Sequence, residues 1–314
     1  MTALADSDFD QRLLVDLQPV VDRELNRHLS TAREWFPHEY VPWSVGEDFS
    51  GPLDGREWTP DEQRFSDAAR TSLIVNLLTE DNLPSYHYEI ATILGRDGAW
   101  GQWVGRWTAE EGRHATAIRD YLLVTRSIDP VAMERARMIH MEEGFKAIHP
   151  GVLAGLSYVS FQELATRVSH RNTGTATGDP VAEQLFARIA LDENLHMLFY
   201  RNVIDAAFDL APDETMVAVT ASVRDFAMPG HGIEGFGRKA VEIAVAGIYD
   251  LPQHREEVVL PILRKWRVFD RTDFGAEGEQ AREELAAIMA DMETAANRFE
   301  EKRDALQARL AARG

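Results

Sequence analysis

The sequence contains no cysteine. This absence excludes disulfide bonds, a cysteine-ligated iron–sulfur cluster and a thiol nucleophile, so any electrons that the protein uses must come from another molecule. The sequence also lacks an uninterrupted apolar stretch near the roughly 18 residues that indicate a membrane span. Its first residues have neither the basic and apolar segments of a secretory signal nor the Arg-rich character of a transit peptide. We therefore expect a soluble, cytoplasmic protein.

Positive charge is scarce relative to negative charge. The 314 residues include 33 Lys and Arg against 52 Asp and Glu, which gives a net charge of −19. Such a surface repels nucleic acid and anionic membranes on average, so nucleic acid is not expected as a partner. The alternation typical of strands is missing as well, whereas apolar residues recur at helical spacing. An all-α protein is predicted.

A pattern of potential metal ligands occurs twice. A lone glutamate precedes a Glu-x-x-His pair by 31 residues in the first copy and by 30 in the second. The copies are Glu80 with Glu111 and His114, and Glu163 with Glu193 and His196. Residues three apart share one face of a helix, so each pair can direct a carboxylate and an imidazole inward. Six ligands from four helices predict a two-metal site, as in ferritin-like di-iron carboxylate bundles.

The predicted architecture is a ferritin-like four-helix bundle core with additional flanking helices, within a single helical domain, 1–314. The ligand-bearing bundle spans about 60–208, and a covering segment spans 1–58. Dense charge predicts an exposed C-terminal helix at about 276–312. The first ligand helix should open at Thr59-Pro60, where a capping threonine precedes proline. Pro84 lacks an N–H and should bend this helix beside Glu80.

Charge balance favours two divalent cations at the site. Four buried carboxylates would cost several kcal/mol each without a counter-charge, and two divalent ions neutralise them. Carboxylate-rich ligands with few imidazoles and no thiolate suit iron, with manganese possible in place of one or both ions. A zinc protease is disfavoured, because neither pair forms the His-Glu-x-x-His motif.

An acid stands immediately before each Glu-x-x-His pair. Glu110 and Asp192 are therefore candidate acceptors for the outward N–H groups of the ligand histidines, and we expect Asp192 to orient His114. A solvated charge at the flank of a helix is the alternative. His170 and the stripe that contains Trp107 are interpreted as core residues.

Four stretches around these positions resemble the soluble acyl-carrier-protein desaturases: TEDNLPSY (79–86), WTAEEGRH (107–114), SFQELAT (160–166) and DENLH (192–196). The actinobacterial branch is the most similar, through LNRHLS (25–30), SHRNTG (169–174) and RKWR (264–267). The resemblance extends from about residue 10 to 275. It implies an O₂-dependent di-iron enzyme, usually a homodimer, that inserts a double bond into a fatty acyl chain carried on acyl carrier protein.

The resemblance also implies roles for individual residues. The six residues of the doubled pattern would be the iron ligands, Thr166 would lie beside the oxygen site, and Trp35 would lie on the electron route. Family members take electrons from ferredoxin, which fits the absence of redox cysteines. An apolar channel between the helices would hold the acyl chain beside the metals.

Other readings of the same ligand pattern remain open. A ribonucleotide reductase small subunit would carry its radical tyrosine four residues after the first ligand histidine, where this sequence has Ile118. A desaturase-like protein with hydroxylase or oxidase activity is a second alternative. A non-catalytic homologue that binds acyl-ACP or metal is a third.

Overall fold

The computed structural model describes residues 2–228 and 233–311, and within these ranges it contains helices and no strands apart from one isolated bridge. This confirms the predicted all-α class. The α-helices are α1 Thr2–Thr31, α2 Pro37–Tyr40, α3 Asp67–Asp81, α4 Leu83–Leu94, α5 Gly98–Val124, α6 Pro130–Glu143, α7 Val152–Thr177, α8 Pro180–Leu210, α9 Pro212–Arg224, α10 Phe236–Val245, α11 Leu251–Gln253, α12 Leu260–Trp266 and α13 Ala276–Ala311. A π-helical turn, His254–Val259, joins α11 to α12.

The first ligand helix begins later than predicted. The Glu62 side chain accepts a hydrogen bond from the Thr59 N–H at 2.9 Å, but only a 3₁₀ turn, Pro60–Glu62, follows. Glu62 also pairs with the Arg126 guanidinium at 2.5 Å, which ties this turn to the end of α5. The helix itself begins at Asp67, where the Ser66 hydroxyl accepts from the Ala69 N–H at 3.3 Å. The predicted start at Thr59 is therefore wrong by about two turns.

The bend predicted near Pro84 is a full break between two helices. Helix α3 ends at Asp81 and α4 begins at Leu83, so the helix breaks at Asn82, two residues after the candidate ligand Glu80. Pro84 occupies the first turn of α4, where its missing N–H costs no hydrogen bond. The break leaves Glu80 in α3 and makes α4 a separate helix.

Four helices form the central bundle. Helix α3 contacts α5 and α7, while α8 contacts both α5 and α7, so the four enclose one interior. Helix α1 lies against α5, α7 and α8, and its buried residues Leu17, Val21 and Leu25 recur every fourth position. That spacing places them on one face of the helix, which covers the bundle. None of the described helices is both long and apolar enough to cross a membrane.

The C-terminal helix α13 is not simply exposed, in contrast to the prediction. Its residues Ala281, Leu285 and Met289 are buried at four-residue spacing, and the helix packs on α9. The high content of charged residues conceals this narrow stripe, because the remaining faces of the helix are solvated. Residue 312, the predicted end of the helix, lies outside the described residues.

Replacing Leu285 with alanine should destabilise the protein by roughly 2–5 kcal/mol, because a fully buried side chain is lost from the contact with α9. Urea unfolding followed by circular dichroism measures this change. The matched control is Glu283→Ala, since Glu283 is exposed on the same helix, and its effect should stay within about 0.5 kcal/mol. Equal effects of the two substitutions would contradict the packing role of α13.

Candidate metal centre

The doubled ligand pattern converges in the bundle interior. Two groups of buried side chains each place one potential ligand atom per residue within 4.8 Å of the others. The first group is Glu80, Glu111, His114 and Glu193, and the second is Glu111, Glu163, Glu193 and His196. Glu111 and Glu193 belong to both groups. The geometry therefore describes two adjacent positions that share two carboxylates, with one further Glu and one His at each.

Each of the six side chains keeps one buried atom without a hydrogen-bond partner. These atoms are Oε2 of Glu80, Oε1 of Glu111, Nδ1 of His114, Oε2 of Glu163, Oε1 of Glu193 and Nδ1 of His196. In place of hydrogen bonds to outer residues, these atoms approach one another: Nδ1 of His196 lies 2.9 Å from Oε1 of Glu111, and Nδ1 of His114 lies 3.1 Å from Oε1 of Glu193. Four glutamates at such distances require protons or cations between them. Carboxylate and imidazole atoms without thiolates are the donors that iron and manganese accept. The residues fit a pair of such ions.

Outer residues fix the two glutamates that belong to a single group. The His170 Nε2 lies 2.7 Å from Oε1 of Glu80, and the Trp107 N–H donates to Oε1 of Glu163 at 2.9 Å. In both glutamates the other oxygen is the one left without a partner. The sequence predicted His170 as a core or channel residue and Trp107 as a core residue, and the structure adds these hydrogen bonds. In the sequence, the helical spacing of His170 from Glu163 and of Trp107 from Glu111 is the feature that could have indicated these hydrogen bonds.

The structure places Asp192 behind His114, as the sequence suggested. Oδ2 of Asp192 lies 3.3 Å from Nε2 of His114 and accepts hydrogen bonds at 2.7 Å from the Trp35 indole and from Arg113. Arg188 contacts the other oxygen. Burial raises the pKa of Asp192, but these hydrogen bonds outweigh burial and hold it well below its ordinary value. An ionised acceptor at Nε2 leaves Nδ1 of His114 as the free lone pair.

Glu110 has the corresponding place behind His196. Its Oε2 lies 3.0 Å from Nε2 of His196 and 2.9 Å from Nε2 of His28, a residue of α1. These three residues form a third close group, but short N–H to O contacts already join its atoms, which describes a hydrogen-bonded chain. Burial raises the pKa of Glu110, and the contacts with both histidines reverse this to a value well below the ordinary one. Sequence analysis assigned no role to His28.

Electrostatics at the centre show the need for a counter-charge. Burial raises the pKa of Glu163 well above its ordinary value, and the charges of Glu111 and Glu193 raise it further. Burial lowers the pKa of His114 and of His196, yet the surrounding carboxylates raise both well above the ordinary value. The protein without metal would therefore hold protons here at neutral pH. Metal ions would replace those protons, because ligands must be deprotonated to bind them.

A long cavity leads to the centre. It has an empty volume of about 810 Å³ and is bordered by Glu80, Glu111 and Thr166 at one end. Its walls are otherwise largely apolar and come mainly from α4 and α7, including Ile90, Ile93, Leu94, Gly155, Leu156 and Val159. The Thr166 hydroxyl lies 3.4 Å from Oε2 of Glu193. The predicted neighbour of the oxygen site thus faces both the cavity and one shared carboxylate.

Comparisons with known proteins agree with one another. The family model described as fatty acid desaturase matches residues 10–312. A protein named as an acyl-[acyl-carrier-protein] desaturase, DesA1 of Mycobacterium tuberculosis, is 53% identical over 299 residues, which cover 93% of this chain and 88% of DesA1. A stearoyl-[acyl-carrier-protein] 9-desaturase of Elaeis guineensis var. tenera is 26% identical over 93% of this chain and 76% of its own.

A solved structure adds independent support. The crystal structure of DesA2 from Mycobacterium tuberculosis, titled as an acyl-ACP desaturase, superposes with a TM-score of 0.69 at 34% identity. The match covers 82% of this chain and 95% of that one. Both the sequence match and the shared helical architecture lead to one assignment. The chain belongs to the fatty acid desaturase family.

Proposed function

We propose that the protein is a di-iron, O₂-dependent desaturase that introduces a double bond into a fatty acyl chain carried on acyl carrier protein. The observation that carries this proposal is the apolar cavity that ends at the two groups of potential ligands. The names of the relatives, from mycobacteria to plants, support acyl carrier protein as the carrier. When bound, two iron ions would supply the redox chemistry that O₂-dependent removal of hydrogen requires; manganese is a possible substitute.

The cavity walls would position the acyl chain. Gly155 and Thr166 both border the cavity and lie eleven residues apart in α7, so the cavity follows this helix for about 16 Å at a rise of 1.5 Å per residue. A Cβ atom on Gly155 would lie 3.3 Å from Cδ1 of Ile93 in α4, which shows how closely the two walls approach. Close apolar walls exclude water and hold one part of a methylene chain beside the metal ligands.

Thr166 would handle a proton at the inner end of the cavity. Its Oγ1 donates to the backbone oxygens of Gln162 and Glu163, both at 3.0 Å, and approaches Oε2 of Glu193 at 3.4 Å. A hydroxyl can both donate and accept. The hydroxyl could give its own proton to the Glu193 carboxylate while it accepts another from a donor in the cavity, so that its own charge does not change.

Desaturation can be tested directly. Iron-loaded protein is incubated with acyl carrier protein thioesters, reduced ferredoxin and O₂, and the released chains are analysed by mass spectrometry. We expect chains lighter by two hydrogens, and none from a Glu111→Ala control that lacks a shared ligand. A gain of one oxygen instead would identify a hydroxylase, and unchanged chains at full iron loading would contradict enzymatic function.

The shared and unshared ligands should differ in metal stoichiometry. Glu111→Ala or Glu193→Ala should weaken both positions and lower iron content well below two per chain, whereas Glu80→Ala should affect only one position. Iron per chain is measured by mass spectrometry after anaerobic reconstitution. Glu89→Ala is the matched control, because Glu89 borders the same cavity but belongs to neither group. Equal iron content in all four variants would refute the ligand assignment.

Trp35 offers a short route for electrons from ferredoxin. Its buried ring is nearly parallel to His114, with centroids 6.3 Å apart, and both residues bond to Asp192. The next residue, Phe36, is exposed, so the route begins at the surface. A ferredoxin that docks at Phe36 would be separated from the candidate ligand His114 by Trp35. The homodimer implied by the family resemblance stays a prediction.

Trp35→Phe should slow iron reduction by ferredoxin, because it removes the indole N–H that joins the ring to Asp192. Stopped-flow spectroscopy measures this rate, and reduction by dithionite with a small mediator should remain near that of the wild type. Trp100→Phe is the control, since it removes a comparable buried bond, 3.0 Å to the Leu14 oxygen. Equal slowing in both variants would rule out a specific route through Trp35.

A further inference from the structure

The N-terminal segment supplies one N–H donor to each of the two carboxylates behind the ligand histidines. Trp35 donates to Asp192 at 2.7 Å, and His28 lies 2.9 Å from Glu110. The two donors are seven residues apart in sequence, yet they reach opposite sides of the centre. Both outer carboxylates are thus held by a segment that contributes no ligand of its own.

His28 is buried and well ordered by contacts. Its ring stacks on His196 with centroids 5.7 Å apart and meets Trp103 edge to face at 5.1 Å. Its Nε2 shares a single oxygen of Glu110 with Nε2 of His196. An ionised carboxylate can only accept, so both histidines must direct an N–H at that oxygen. The tautomer of His196 that leaves Nδ1 free is therefore fixed through Glu110.

The two sides of the centre differ in how many donors hold the outer carboxylate. Oδ2 of Asp192 receives Arg113 and Trp35 in addition to His114. Among the described residues, His28 and His196 are the only hydrogen-bond partners of Oε2 of Glu110. Arg106 pairs with the other oxygen, Oε1. Loss of one donor therefore leaves Asp192 anchored at the same oxygen but leaves His196 as the single partner of that oxygen of Glu110.

We propose that His28 is a positioning residue for one metal position, acting through Glu110 on the orientation and tautomer of His196. This inference rests on the proposed function, because it assumes that metal binds at the two groups. His28 touches neither the metal ligand atoms nor the acyl cavity. Loss of an outer hydrogen-bond partner of a ligand histidine typically lowers metal affinity by roughly 10–100-fold. We expect this loss of metal affinity only at the metal position that includes Glu163 and His196.

The test compares two substitutions of similar size. His28→Gln keeps an N–H donor that can reach Glu110, whereas His28→Met removes it. Metal-free proteins are titrated with Fe(II) under anaerobic conditions against a competing chelator, and Mössbauer spectra distinguish the two iron positions. His28→Met should lose roughly 10–100-fold in affinity at one position with a changed spectrum there, and His28→Gln should restore most of the affinity.

Further variants keep the inference falsifiable if the methionine variant folds poorly, which thermal unfolding of the metal-free proteins will reveal. Glu110→Gln should weaken the same position, and Trp35→Phe should leave the position of His196 unchanged. Equal affinities in His28→Gln and His28→Met, or equal weakening of both positions, would overturn the role of His28. A wild type that binds fewer than two metals would instead overturn the proposed function itself.

Discussion

The burial of four glutamates in one dry interior is the constraint on which this structure depends. Carboxylates this close repel one another, and the interior offers little solvent to screen them. Two histidines and an outer ring of donors offset part of the repulsion, yet one atom of each of the six residues faces only the other candidate ligands. A pair of cations resolves both problems at once, because it neutralises the charge and occupies those atoms. The buried cluster therefore fits a pair of cations, which would supply the counter-charge that the bundle itself lacks.

The outer ring fixes the orientation of the candidate ligands. His170 and Trp107 each hold one oxygen of an unshared glutamate, and the other oxygen points to the centre. Asp192 and Glu110 do the same for the imidazoles. Fixing each ligand by its other atom reduces the entropy that metal binding must remove. The arrangement is nearly two-fold, but its donors differ: an indole and two arginines hold Asp192, whereas a histidine and one arginine hold Glu110.

The sequence predicted those parts of the site that arise from local geometry. A Glu-x-x-His pair places both side chains on one helix face whatever the tertiary structure, so the ligand helices and the centre could be foreseen. Contacts between segments that are far apart in the sequence could not be foreseen. His28 and Glu110 are separated by 82 positions in the sequence, and His170 and Glu80 by 90. No spacing rule for helices applies at such separations. The helix predicted from Thr59 failed for a related reason, because Glu62 is engaged by Arg126 of another element.

The same helices form the cavity wall and carry the candidate metal ligands. On α7, Gly155, Val159 and Thr166 border the cavity, while Glu163 on the same face belongs to the centre. A shift of α7 along its axis would therefore move the cavity wall and the ligand together, so their relative depth stays fixed by helix geometry. Selectivity for one bond of an acyl chain then depends on where the cavity ends. Ile93 of α4 lies opposite Gly155 in the cavity wall and belongs to neither group of potential ligands, so a substitution there would change the wall while leaving the centre intact.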